Sequence, residues 1–239
     1  MKKELILSSI IAAGIALGGF FPGYYYYKAQ TNNRTVTVKG LAEMDVKADL
    51  GVWKIKFKTT GNDLQALQQK MSADARNITQ YLHQQGFSDS EVTSGRMNTN
   101  DLMANQYRDA RAADSRYILD QTITVRSSNV DLIENTMRAI GSLVAKGVIF
   151  DYQDYSSPVT YLFTGLNRIK PQMLEQATQN AYASALEFAK SSQSKVGKIK
   201  TANQGVFSIL PREQIDGQME SAQIDKTVRV VSTIVYYLE

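Results

Sequence analysis

The sequence predicts an α+β fold, with amphipathic helices laid on a largely antiparallel sheet and one membrane helix in front. Three patterns lead there. Trp53, Ile55 and Phe57 alternate with Lys54, Lys56 and Lys58, the period of two of a half-buried strand. Leu64, Leu67, Met71, Ile78 and Leu82 recur at helical spacing, with Ala75 filling the gap. Strand-like and helix-like segments carry similar weight, and several neighbouring strands are separated only by short turns.

The chain opens with Lys2-Lys3, then an apolar run from Leu5 to Phe21, then Pro22-Gly23 and the tyrosines Tyr24 to Tyr27 before Lys28. The run is about 17 residues, or roughly 23 with the tyrosines, enough to cross a hydrocarbon core of ~30 Å. Tyrosine suits the far interface, and Lys2 and Lys3 favour a cytoplasmic N-terminus, a bias that Lys28 and Arg34 weaken. A cleaved secretory signal is the rival reading, with Gly14-Ile15-Ala16 and Ala16-Leu17-Gly18 as small-x-small triplets. A buried core helix is the third. No clear cleavage site follows the run, so an uncleaved anchor is expected. Residues 1–30 then form an anchor or signal segment, and residues 31–239 an exported domain. This places the chain in the inner membrane, single pass, with its C-terminal domain in the periplasm; a cleaved signal would leave it soluble there. Gly14 and Gly18 form a GxxxG pair, which ordinary membrane-helix composition also explains.

The chain has 239 residues and no cysteine, which excludes disulfides and thiolate metal sites and fits a periplasmic location. Its net charge is +4 with no basic block, so no nucleic-acid partner is expected.

Thr31 to Asn33 read as a polar tether, and Thr35-Val36-Thr37-Val38 start a strand. Lys54, Lys56 and Lys58 could form an anion-binding stripe, but a solvated sheet face is the simpler reading. Gly61 and Asn62 end that strand, Asp63 caps the helix that runs to near Gln85, and Gly86 stops it. Arg96 to Arg116 read as a solvated loop, since Arg108, Asp109, Arg111, Asp114 and Arg116 alternate in sign. Tyr117 to Arg126 return to strand through Leu119, Gln121, Ile123 and Val125. Asn129 caps a second helix with Val130, Ile133, Met137, Ile140 and Val144 on its inner face, and Gly147 ends it. Val148, Phe150 and Tyr152 then alternate as a strand, with Val159 to Phe163 as its hairpin partner across Ser156-Ser157-Pro158. A third helix starts around Lys170-Pro171, its inner face formed by Leu174, Ala177, Ala181, Ala185 and Phe188. Gly197 follows its end. Ile199 to Ile209 read as a strand, Pro211 to Asp225 as a polar loop, and Thr227 to Leu238 as a final strand. That strand is apolar on both faces, so it is central or at a subunit contact.

Catalytic signatures are missing: there is no G-x-S-x-G, no Walker A, no H-E-x-x-H and no dinucleotide fingerprint. His83, the only histidine, sits at a helix C-terminus, where a cation is favoured, and has no evident metal or catalytic role. Asp151/Asp154 and Asp89/Glu91 lack the density of a calcium loop and read as surface carboxylates. Tyr152, Tyr155 and Tyr161 could line a ligand groove, although strand tyrosines more often pack on the sheet or at an interface. No catalytic, cofactor-binding or metal residue is assigned, and no cofactor is expected.

Several segments resemble the SIMPL domain family, also called DUF541. They are Lys146-Gly147-Val148-Ile149-Phe150, then Tyr161-Leu162-Phe163-Thr164-Gly165-Leu166-Asn167. That segment leads into the alanine-spaced helix Ala177, Ala181, Ala185 and Ala189, and Val196-Gly197-Lys198-Ile199 follows. The likeness rests on order and spacing across about residues 34 to 239. Arg116 before Tyr117 departs from it, since many members have glycine there. The resemblance implies an α+β domain, export to the envelope, and homo-oligomers of ring-like or channel-like form. It implies no established enzymatic activity and a loose link to envelope or oxidative stress protection. A non-enzymatic, membrane-anchored periplasmic protein that self-assembles is therefore expected. The alternative is a periplasmic ligand-binding or chaperone-like module.

Overall fold

The computed structural model describes residues 2–31, 34–104, 115–151, 159–213, 215–217 and 219–239, without the side chains of residues 2–11, 13 and 29–31. In chain order the elements are α1 (Lys2–Thr31), β1 (Thr35–Lys47), β2 (Leu50–Gly61), α2 (Leu64–Gln85), β3 (Val92–Ser94), β4 (Asn98–Asp101) and β5 (Tyr117–Ser127). Then come α3 (Val130–Ala139), β6 (Ile149–Phe150), β7 (Val159–Leu162), α4 (Leu166–Ser191), β8 (Val196–Gln204), β9 (Ser208–Pro211) and β10 (Asp225–Leu238). Short 3₁₀ segments cover Ile140–Lys146 and Glu220–Ala222. The protein is α+β, as its sequence predicts. It divides into two compact units, one of Asp45–Arg168 and Ile209–Thr227, the other of Met1–Met44, Ile169–Ser208 and Val228–Glu239.

In the first unit the strand order is β3-β5-β2-β6, with β4 also on β5 and β7 also on β2. The β2–β5 ladder is antiparallel from Gly51↔Ser127 to Gly61↔Tyr117. Trp53, Ile55 and Phe57 are buried, while Lys54 and Lys56 on the other face are exposed. Helix α2 begins where Asp63 Oδ1 accepts the N–H groups of Gln65 and Ala66, at 2.9 and 3.1 Å. It ends at Gly86, whose φ of 106° a side chain would resist. Between these caps Leu67, Met71, Ile78 and Leu82 join the core under the sheet.

Asn129 caps α3 by accepting the Leu132 N–H at 3.0 Å. Beyond Ala139 the helix tightens to 3₁₀, and the expected inner face fails there. A period of three puts Leu143 inside one turn after Ile140, and Val144 is 57% exposed instead.

The expected hairpin between residues 148–152 and 159–163 does not form. β6 pairs with Phe57 and Lys58 of β2, and β7 with Leu50 to Trp53, both antiparallel. Two strands antiparallel to the same edge run parallel to each other, so they cannot close a hairpin. Tyr152, Asp154, Tyr155 and Ser156 to Pro158 lie outside the described residues. Part of the expected loop is also strand: Asn98 to Asp101 form β4, opposite Asp120 to Tyr117. Its Asn and Asp residues have low strand propensity, and the β5 edge supplies the order. Residues 105–114, with Arg108, Asp109, Arg111 and Asp114, lie outside the described residues.

The second unit has the order β1-β10-β8, so the final strand is central, one of the two expected placements. Helix α4 starts at Leu166, one turn before Pro171, and buries Met173, Ala177, Ala181, Ala185 and Ala189. Phe188, expected inside, is 55% exposed. Strict spacing of four turns the stripe by about 40° per step, and Phe188 lies on the side it turns away from. Gly40 of β1 meets this stripe so closely that a Cβ there would stand 1.8 Å from the Ala177 carbonyl oxygen. The single strand expected from Ile199 to Ile209 is broken at residues 205–207, where the Gly205 N–H bonds the Val231 carbonyl at 2.9 Å.

Helix α1 continues through Pro22 to Thr31. All its described side chains are exposed, among them Ile15, Leu17, Phe20, Phe21 and Tyr24 to Tyr27. Among the described residues, no helix is long and apolar enough to cross a membrane.

Candidate functional site

The richest polar arrangement in the first unit forms around Tyr161 of β7. Its cross-strand partner is Gly51, whose missing side chain leaves room for the Tyr161 ring and the Ile133 methyl. The buried ring carries its hydroxyl to Glu134 of α3, which accepts that proton at Oε2 over 2.7 Å. Arg138, one turn further along α3, donates Nε and Nη2 to the other oxygen, Oε1, at 3.2 and 3.0 Å. Burial first, then the Glu134 carboxylate, pushes the Tyr161 phenol above its ordinary value, so the hydroxyl stays a donor at neutral pH.

Described residues between Ile209 and Thr227, among them Arg212, Glu213, Ile215 and Ala222 to Asp225, form the opposite wall. Arg212 donates its N–H to the Asp225 carbonyl at 3.3 Å, and Gln223 Nε2 donates to the Glu213 carbonyl at 2.9 Å. Lys226 fixes the 3₁₀ turn beneath. It is fully buried and donates to the Glu220 carbonyl at 2.8 Å and to the Glu220 carboxylate. Ala48 N–H to the Ile224 carbonyl, at 2.8 Å, ties the segment to the chain ahead of β2. Between the walls lies an open cleft of about 360 Å³, at the small end of the ligand-site range. Glu134, Arg138, Arg212, Glu213 and Asp225 line it, with Tyr161, Ile215 and Ile224 as its apolar part.

Of the tyrosines singled out in sequence, Tyr161 stands in this cleft, and Tyr152 and Tyr155 lie outside the described residues. The two carboxylate pairs separate. Asp89 faces His83 Nε2 at 3.2 Å, while Glu91 accepts from the Ser88 N–H and hydroxyl at 3.0 and 2.9 Å. The Ser127 hydroxyl, then the Ser88 N–H, hold the Glu91 carboxyl below its ordinary value. Asp151 pairs with Lys58 at 3.2 Å, and Asp154 is not described. His83 Nδ1 donates to the Phe87 carbonyl at 2.9 Å, so the imidazole joins the end of α2 to the residue after Gly86. Among the described residues no group of three or more His, Cys, Asp or Glu side chains could hold a metal ion.

Sequence reasoning missed Glu134, Arg138, Arg212 and Lys226. The i,i+4 spacing of Glu134 and Arg138 was visible but looks like any helix-surface ion pair. Nothing in a polar stretch marks Lys226 as buried.

A family model described as SIMPL, protein of unknown function (DUF541), matches residues 36–236. No curated protein matches the chain.

Proposed function

The chain belongs to the SIMPL (DUF541) family, and from that premise we propose that it is a non-enzymatic envelope protein. Helix α1 anchors it in the inner membrane, and its exported domain self-assembles. The observation that carries this reading is the uncovered surface of α1. Thirty residues of helix span ~45 Å at ~1.5 Å each. Ile15, Leu17, Phe20 and Phe21 are exposed, and Phe20 stacks on Tyr24 of the same helix. Exposed apolar side chains along a helix suit a surrounding of lipid or of other helices. Leu5, Ile6, Leu7, Ile10 and Ile11 belong to the same run, in the stretch whose side chains are not described, so their support comes from sequence. Pro22 inside the helix agrees with a membrane setting, where proline is tolerated in spanning helices.

Self-assembly draws support from the second unit. Among the described residues strand β8 pairs with β10 alone, and it is largely exposed on both faces, with Ile199 at 51%. A long edge of this kind is a template for pairing with another chain. Leu186 and Phe188 add exposed apolar surface on α4. A link to stress protection rests on the family resemblance alone.

The Tyr161 cleft favours a second reading, a ligand-binding module, and the two are compatible in one molecule. The anchor is tested by fractionating cells that express the full chain and sequencing its N-terminus. An intact start in the salt-resistant membrane fraction is expected. A shortened N-terminus in the soluble periplasmic fraction contradicts the anchor.

A further inference from the structure

We propose that the Tyr161 cleft binds a small α-amino carboxylate: a free amino acid or the like, with an apolar side chain. The inference deepens the ligand-binding reading and does not depend on assembly.

The argument starts from unused hydrogen-bonding capacity. Glu134 is satisfied at both oxygens, by Tyr161 and by Arg138. Arg138 spends Nε and Nη2 on it, leaving Nη1 without an acceptor among the described residues. Among the described residues the Arg212 guanidinium has one charged partner, Asp45, at 3.6 Å, beyond a direct hydrogen bond. Two guanidinium groups with spare donors on one small cleft suit a carboxylate, whose paired oxygens match the planar fork.

The acidic side of the cleft sets the rest of the ligand. Glu213 and Asp225 also line it, and their carboxylates have no side-chain partner among the described residues. Counting Glu134, three acidic residues and two arginines line the cleft. A purely anionic ligand would add to a surplus of negative charge. A zwitterion adds none: its carboxylate meets the arginines and its ammonium meets Glu213 or Asp225. The Tyr161 ring, Ile215 and Ile224 offer an apolar body contact. The volume of about 360 Å³ limits the occupant to a small molecule.

The test uses full-length protein in mild detergent, titrated calorimetrically with L-leucine, N-acetyl-L-leucine and L-leucinamide. Saturable binding of L-leucine is expected, weakened about tenfold or more when either charged end is blocked, since each charge-assisted contact accounts for roughly that factor. Arg212→Gln, at a side chain about half exposed, and Arg138→Gln should each weaken binding by a similar factor without lowering the thermal midpoint of the unliganded protein. Leucinamide or N-acetyl-leucine binding as well as leucine overturns the ligand class and keeps the cleft as a site. Leucine binding unchanged in both arginine variants overturns the location. No binding of any of the three at millimolar concentration overturns the inference; the ligand-binding reading falls separately, if no compound of a chemically broad set raises the thermal midpoint of the full-length protein.

Discussion

Gly40→Ala lowers stability by about 3 kcal/mol or more, the upper end of what overpacking costs. At Gly40 the β1 backbone lies against α4, and an added methyl would stand 1.8 Å from the Ala177 carbonyl oxygen, 2.6 Å from the Ala181 nitrogen and 2.8 Å from the Ala181 Cβ. The first two obstacles are backbone atoms, so a rotamer change cannot relieve them; helix and strand must separate. Separation uncovers Val36, Val38, Ala181, Ala185 and Ile234, the small core of the second unit. That core has little to spare, because alanine contributes little apolar area per contact. Gly141→Ala is the matched control, with open space around the new methyl. Urea unfolding of the full chain in detergent, followed by far-UV circular dichroism, should show a large midpoint loss for Gly40→Ala and a change within about 0.5 kcal/mol for Gly141→Ala. Equal behaviour of the two would mean that β1 and α4 do not approach as described.

Glu220→Ala costs about 3–5 kcal/mol, more than Lys226→Met. The pair is asymmetric. The Lys226 side chain is wholly buried, while that of Glu220 is one-third exposed. Removing Glu220 strands an ammonium in the interior with, among the described residues, one carbonyl at 2.8 Å as its remaining partner. Breaking a buried pair by deleting one partner is costly because of the charge left behind. Lys226→Met leaves a carboxylate that water can reach, and fills the buried volume with an unbranched apolar side chain, so a loss of about 1 kcal/mol or less is expected. Thermal or urea unfolding of both variants checks the order. A larger loss for Lys226→Met would show that the lysine charge is not what the Glu220 turn satisfies.

The elements that could be read from the sequence are those whose signals are local. Asp63 and Gly86 bound α2 where a capping aspartate and a left-handed glycine should stand, and Trp53, Ile55 and Phe57 face the core as their alternation demands. The failures share a different cause. Leu143 replaces Val144 because the helix changes period at Ile140, which depends on how its end packs. β6 and β7 each select β2 over each other, a choice made by an edge far earlier in the chain. Gly40 carried a readable hint, since an isolated glycine inside a strand pattern often marks close backbone approach. The cleft was the least legible. Glu134 and Tyr161 are 27 positions apart, and Arg212 comes from a stretch that looks like ordinary polar loop. Only Tyr161 stood out, as one of several strand tyrosines.

The central claim is that the chain assembles with itself through surfaces that a single copy leaves uncovered. The most direct measurement is the protein mass of the full chain, extracted in mild detergent, by size-exclusion chromatography with multi-angle light scattering. The account predicts a whole multiple of 26.6 kDa, two or more, at micromolar concentration. A mass of 26.6 kDa under those conditions, unchanged on concentration, would contradict it.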